Sequence, residues 1–209
     1  MINVRILVDD PDSWMIPFAK EIVKKLNKKG YESLFINSLK NNYKGDVLFL
    51  LSCKNIINNF SNFQHNIVIH ASDLPKGRGW SPLTWQILEG QNQIPITLFE
   101  ASSDVDSGDS YFKDKIFLDG NELIDEIRSK LAEKIEIMIF RFLSNKRIKP
   151  VSQSGHPTFY GRRTPKDSQL DVNKTIAEQF NLLRVCDNKR YPAYFEYMGN
   201  KYILKIFKK

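Results

Sequence analysis

The chain has 209 residues, 42% of them hydrophobic, which is enough for one compact domain with a real core and excludes a disordered chain. Its net charge of +7 is unevenly placed: residues 146–209 hold 14 Lys/Arg against 5 Asp/Glu, and residues 1–145 hold 17 against 19. No apolar run approaches the roughly 18 residues of a membrane span, no signal-peptide pattern opens the chain, and Cys53 and Cys186 lack a metal-like spacing, so a cytoplasmic, metal-free protein with reduced thiols is expected.

Val4–Val8 reads as a buried strand followed by the turn residues Asp9 to Ser13. Phe18, Ala19, Ile22, Val23 and Leu26 then recur at helical spacing, and Gly30 is placed to end that helix. Ser33–Ile36, Val47–Leu51 and Asn66–His70 are the next strands. After a Gly-rich loop, a short helix is predicted to Glu89, with Ser81 as N-cap, Pro82 at its first position and Gly90 beyond its end. Ile94–Phe99 is another strand, and residues 121–144 carry one long apolar helical stripe from Leu123 to Phe142. The alternation predicts an α/β fold: a Rossmann-like, mostly parallel sheet with helices on both faces.

Beyond Lys149 the character changes. Residues 150–163 read as a long polar loop and Val172–Phe180 as a short helix. Ala193–Met198 and Lys201–Phe207 flank Gly199-Asn200, a two-residue hairpin signal. The expected division is a main body at 1–149 and a small α+β extension at 150–209, packed on that body and ending in the hairpin. The hairpin is also the place where a second copy could pair to give a homodimer.

Two segments hold residues suited to chemistry. The first is His70-Ala-Ser-Asp-Leu-Pro-Lys-Gly-Arg-Gly-Trp-Ser-Pro82. A histidine at the C-terminal end of a buried strand sits where open α/β sheets place ligands. Gly77 and Gly79 let backbone approach a ligand, with Lys76 and Arg78 beside them. The second segment, residues 100–109, leaves the Ile94–Phe99 strand and carries Asp104, Asp106 and Asp109 without a calcium-loop pattern. If both strands are parallel neighbours, their loops leave the same edge and His70 can meet one of these carboxylates. A carboxylate beside an imidazole orients it and favours its protonated form.

The pattern of His70, Ser72, Leu74, Pro75, Arg78 and Gly79, followed after 36 residues by Asp106-Ser107-Gly108, resembles the signature of the folate-dependent formyltransferases. Trp85 to Gly90 resembles the helix after that loop, and Arg162-Arg163 through Asp167, Ser168 and Asp171 resembles the segment after the core in sugar and tRNA formyltransferases. The likeness spans roughly residues 45–206 and is nearest to the sugar N-formyltransferases, those of pseudaminic-type pathways in particular. It implies a catalytic domain at 1–149 in which an amine attacks the formyl carbon of N10-formyltetrahydrofolate. His70 would stabilise the oxyanion and Asp106 would help remove the proton. It also implies a folate pocket at Leu51, Ser52, Cys53, Ala101, Ser102, Asp104 and Val105, and no metal.

The acceptor expected from this resemblance is a nucleotide-linked amino sugar, for instance a UDP-linked 4-amino-4,6-dideoxy sugar. Its diphosphate and base would meet Ser72, Lys76, Arg78, Gly79, Trp80, Tyr160, Arg162 and Arg163. About 60 residues after Pro150 are too few for the second barrel of a tRNA-directed enzyme, and nucleic acid is disfavoured as a partner. The alternatives are glycinamide ribonucleotide, an aminoacyl or peptidyl amine, or a catalytically impaired folate- or nucleotide-binding module. This last reading comes from a departure: the family has an Asn two residues before the histidine, and here that residue is Val68. Asn66 shares the strand face of His70 but lies about 13 Å along it. Either His70 and backbone N–H groups take over the lost donor's role, or another side chain does.

Overall fold

The computed structural model describes residues 1–39, 43–55, 62–145 and 147–209. The first half runs β1 (Asn3–Leu7), α1 (Ile16–Lys28), β2 (Glu32–Ile36), β3 (Gly45–Leu50) and β4 (Phe63–His70). Proline in the first turn and Lys25 and Lys28 in the last suit α1 to its two ends, and Gly30, at φ +85°, turns the chain into β2. There follow β5 (Arg78–Gly79), α2 (Pro82–Leu88), β6 (Gln93–Glu100), β7 (Ser110–Phe117) and α3 (Ile124–Ser144). Six strands form one sheet in the order β2-β1-β3-β4-β6-β7. The first four are parallel, while β6 runs antiparallel to both β4 and β7.

The mostly parallel, Rossmann-like sheet is as the sequence predicts. Alternate residues of its strands separate two apolar layers. Val4, Ile6, Val47, Phe49 and Ile67 join Ala19, Ile22 and Leu26 of α1, Ile87 of α2 and Ile127, Leu131 and Met138 of α3 in the larger one. Leu7, Ile36, Leu48, Leu50 and Phe63 form the smaller, closed among the described residues by Leu39, Tyr43, Cys53, Val68 and Ala101. The helices α1, α2 and α3 therefore contribute to the larger layer, while Val68 of β4 and loop residues close the smaller.

The extension contains β8 (Phe159–Tyr160), a 3-10 turn at Pro165–Ser168, α4 (Phe180–Val185), β9 (Ala193–Tyr197) and β10 (Asn200–Leu204). It is tied to the body by parallel pairing of β8 with β5 and by a Val151–Ser110 bridge. Arg184, fully buried, donates to Asn92 Oδ1 (2.6 Å) and Asn181 Oδ1 (3.0 Å) and lies 3.5 Å from Glu122.

Four expectations need correction. β6 is antiparallel to β4, so the loop after β6 must fold back to reach His70. The helix read at 172–180 is a series of turns, with α4 beginning at Phe180. There Gln179 Nε2 donates to the carbonyls of Asp171, Lys174 and Thr175, acceptors that a helix would otherwise use. Ser81 makes no side-chain cap; it takes a left-handed conformation at φ 49°. The hairpin turns at Met198-Gly199, one residue earlier than read, with both residues at positive φ as a type I′ turn requires. Among the described residues no helix is long and apolar enough to cross a membrane.

Candidate active site

His70 closes β4 and points into the space below the loop that follows it. Its Nε2 lies 2.8 Å from the Gly77 carbonyl, which can only accept, so this nitrogen carries a proton. The same Nε2 is 3.5 Å from Asp106 Oδ2. Asp106 Oδ2 accepts the Gly79 N–H at 2.8 Å, and the Asp106 backbone is left-handed at φ 50°. Two glycines make the approach possible. A Cβ on Gly79 would stand 2.5 Å from the Tyr160 carbonyl, and one on Gly108 would stand 1.7 Å from that of Glu100. The fold-back of the 101–109 loop is held from within by the Ser102 and Ser107 hydroxyls, 2.8 Å apart, whose two protons are shared between each other and the Asp104 carbonyl.

His70 and Asp106 face a cavity of about 470 Å³ at the C-terminal ends of β1, β3 and β4. That volume lies within the usual range for a small-molecule site. Ser52, Cys53, Ala101, Ser102, Asp104 and Val105 line it, as do Gly79, Trp80, Arg162 and Arg163. Leu51 does not: strand alternation sends it into the larger apolar layer, and Leu50 faces the cavity instead. Ser72 is buried away from the cavity, with its carbonyl accepting from Thr97 Oγ1 (2.7 Å). Lys76 is exposed in a turn outside the lining. Arg78 turns away and donates to Gln153 Oε1 at 2.7 Å. Tyr160 also lies outside, stacked on Trp85 and donating to Glu89; burial, then the Glu89 carboxylate, push its hydroxyl up to about 12. Arg163 is largely occupied within the protein, with donations to Val185 O and Ser168 Oγ, whereas Arg162 lies over the Trp80 ring at 4.9 Å.

Residues 15–143, more than half of the chain, match the family model described as formyl transferase. The chain belongs to the formyl transferase family. Among curated relatives of this family member, the methionyl-tRNA formyltransferase of Thermosipho melanesiensis is 27% identical, the match covering 78% of this chain and 52% of that one. The chain thus spans about half the length of the curated relatives it matches first. A solved methionyl-tRNA formyltransferase from Clostridium thermocellum superposes with a TM-score of 0.81 at 26% identity, covering 96% of this chain and 90% of that one. Rv3404c from Mycobacterium tuberculosis, described as a likely sugar N-formyltransferase, shares the fold with a TM-score of 0.75 at 16% identity, covering 100% of this chain and 98% of that one.

In this formyl transferase family member several cavity residues escape the sequence reading. Asp10, Lys54, Arg128, Asp187 and Arg190 also line the cavity. Asp10 is buried, which by itself would raise its pKa. Lys54 Nζ (2.7 Å), Arg190 Nη1 (2.9 Å) and the Asp12 N–H outweigh that and lower it to about 2. Arg128 pairs with Asp187 at 2.8 Å. A signal for two of them was present: Asp9-Asp10 directly follow the first strand, and Arg128 interrupts the apolar stripe between Ile124 and Leu131. Burial, then the charge of Asp9, push the Cys53 thiol up to about 12.

Val68 lines the cavity next to His70, and Asn66 does not. The N–H groups of Gly79 and Trp80 are taken by Asp106 and by the Tyr160 carbonyl. These two N–H groups are therefore not available to replace the donor lost at position 68. The residues present fit a flat, partly polar ring such as a pterin: Leu50, Val68, Phe99 and Ala101 give apolar walls, and Ser52 and Ser102 give hydroxyls.

Proposed function

We propose that the chain transfers a formyl group from N10-formyltetrahydrofolate to the amino group of a nucleotide-linked amino sugar. The observation that carries the reading is the 3.5 Å approach of His70 Nε2 to Asp106 Oδ2 at the wall of a ligand-sized cavity. When bound, the folate supplies the one-carbon electrophile. His70 sits where a hydrogen-bond donor can meet the negative charge developing on the formyl oxygen. Asp106, only 14% exposed at its side chain, accepts the proton released by the attacking amine, directly or through one water. With Val68 in place of an amide, the donor role falls to the His70 ring, whose Nε2–H must turn from the Gly77 carbonyl, 2.8 Å away, to the formyl oxygen.

Family membership supports the transfer and the folate donor. The sugar acceptor is supported by the fold shared with Rv3404c and by the Arg162–Trp80 pair at the cavity, a cation and an aromatic face suited to a phosphate and a base. A second reading, an aminoacyl-tRNA amine as acceptor, is favoured by the 26–27% identity to methionyl-tRNA formyltransferases. The pairing of domains read from the sequence, 1–149 catalytic and 150–209 packed on it, is part of the same proposal.

Mass spectrometry of reactions containing N10-formyltetrahydrofolate and a panel of amines (UDP-linked 4-amino sugars, glycinamide ribonucleotide and methionyl-tRNA) tests both readings. A formylated amino sugar in the wild type, reduced at least about 100-fold in His70→Ala and Asp106→Ala, is expected. Transfer to methionyl-tRNA alone would establish the second reading, and near-normal turnover in both variants would overturn the assigned chemistry.

A further inference from the structure

We infer that Gln153 is the positioning residue that holds Asp106 against His70. The inference rests on the reading of Asp106 as the proton acceptor. Asp106 adopts the left-handed region, φ 50°, which few non-glycine residues occupy, although Asp enters it more readily than most, and which persists where the surroundings support it. Gln153 supplies that support from a different part of the chain. Its Nε2 donates to the Asp106 carbonyl at 2.9 Å and to the Gly108 carbonyl at 2.8 Å, bracketing the turn of Asp106-Ser107-Gly108. Its Oε1 accepts from Arg78 Nη2 at 2.7 Å.

These contacts close a ring. Arg78 precedes Gly79, whose N–H holds the Asp106 carboxylate at 2.8 Å. The backbone of Asp106 is thus fixed through Gln153 and its carboxylate through Gly79, and Gln153 is itself tied through Arg78 to the loop that carries Gly79. Two donors and one acceptor on one planar group are what a primary amide offers and no carboxylate or hydroxyl does. The segment carrying Gln153 is itself anchored two residues earlier, where Val151 and Ser110 exchange backbone hydrogen bonds at 2.8 Å. This accounts for a polar stretch of the extension, residues 150–163, being ordered against the body, and it makes residues beyond 149 part of the catalytic arrangement.

A role exerted through Asp106 differs from plain structural support in one measurable way: it vanishes when Asp106 is already disabled. The chain has three histidines, so the ring nitrogens of ¹⁵N-histidine-labelled protein can be resolved by NMR at one fixed pH, with no substrate present. The comparison uses wild type, Asp106→Asn, Gln153→Met and the double variant. Gln153→Glu, which keeps the side-chain size but removes both donors, carries the same comparison if Gln153→Met does not fold.

Gln153→Met is expected to move the His70 resonances in the direction that Asp106→Asn moves them, with His65 and His156 unmoved. Added to Asp106→Asn, it should move them little further. Unmoved His70 resonances in Gln153→Met, or full additivity in the double variant, would overturn the inference. Because the readout needs no turnover, failure of formyl transfer with a coupled His70 shift would count against the proposed function alone. In any acceptor assay that shows transfer, Gln153→Met should lower kcat by about tenfold or more while the donor KM stays within about threefold.

Discussion

At the scale of single residues, the site depends on two close backbone approaches as much as on its charged groups. Gly108 has no room for a side chain, since its Cβ would overlap the Glu100 carbonyl at 1.7 Å. Gly108→Ala is therefore expected to push the loop outward and lower stability by about 1–3 kcal/mol. Thermal unfolding checks this, and the displaced loop should also lower transfer by at least tenfold. His70 and Asp106 were legible because a histidine at a strand end, a Gly-rich loop and an Asp-x-Gly at a fixed interval are local patterns. Gln153 was not, and of Asp10 only its place after the first strand was. Their significance lies in partners 45 and 47 residues away for Gln153 and 180 for the Asp10–Arg190 pair, and one sequence carries no sign of such pairing. Arg78 and Tyr160 were misplaced for a related reason: a cationic or aromatic residue near a ligand loop gives no indication of which way its side chain turns.

Among the elements, those with clear periodicity were read correctly and those held by side-chain hydrogen bonds were not. The apolar stripe of α3 and the buried runs of β1, β3 and β4 show in the sequence because their faces must meet a core. β7 escaped notice because Lys113, Asp114 and Lys115 interrupt its apolar pattern. Such charges suit its place at the edge of the sheet, where they discourage pairing with other chains. The hairpin was recognised but placed one residue late, because Gly199-Asn200 fits the favoured turn better than Met198-Gly199. That mismatch leads to a prediction. Met198, 80% exposed and at φ 48°, occupies a position that Asn tolerates better. Met198→Asn should stabilise the protein by about 0.5 kcal/mol, read as a higher denaturation midpoint; a lower midpoint would mean that Met198 makes a contact that the turn geometry does not require.

Across the whole molecule, body and extension are fastened by buried charge. Asp10 joins the loop after β1 to Lys54 and to Arg190 of the extension, and Glu122 joins Lys130 to the buried Arg184. Burial opposes both carboxylates, yet their hydrogen-bonded partners lower Asp10 from 3.8 and Glu122 from 4.5 to about 2. A carboxylate whose pKa is lower folded than unfolded stabilises the fold above its unfolded value and loses that contribution as pH falls toward the folded one. Stability should therefore be fully supported near neutral pH and should decline between about pH 4.5 and pH 2, by on the order of 2–3 kcal/mol for each group. Denaturant unfolding at several pH values measures the decline, which should be shallower in Asp10→Asn. An unchanged slope in that variant would remove Asp10 from this role.

The central claim is that the formyl group is presented between His70 and Asp106, and the most direct measurement is a crystal structure with a hydrolysis-resistant 10-formyl folate analogue. The formyl oxygen is expected within hydrogen-bonding reach of the His70 ring, with the pterin-like ring against Leu50, Val68 and Ala101. An analogue bound with its formyl group turned away from both residues, or bound outside this cavity, would contradict the account.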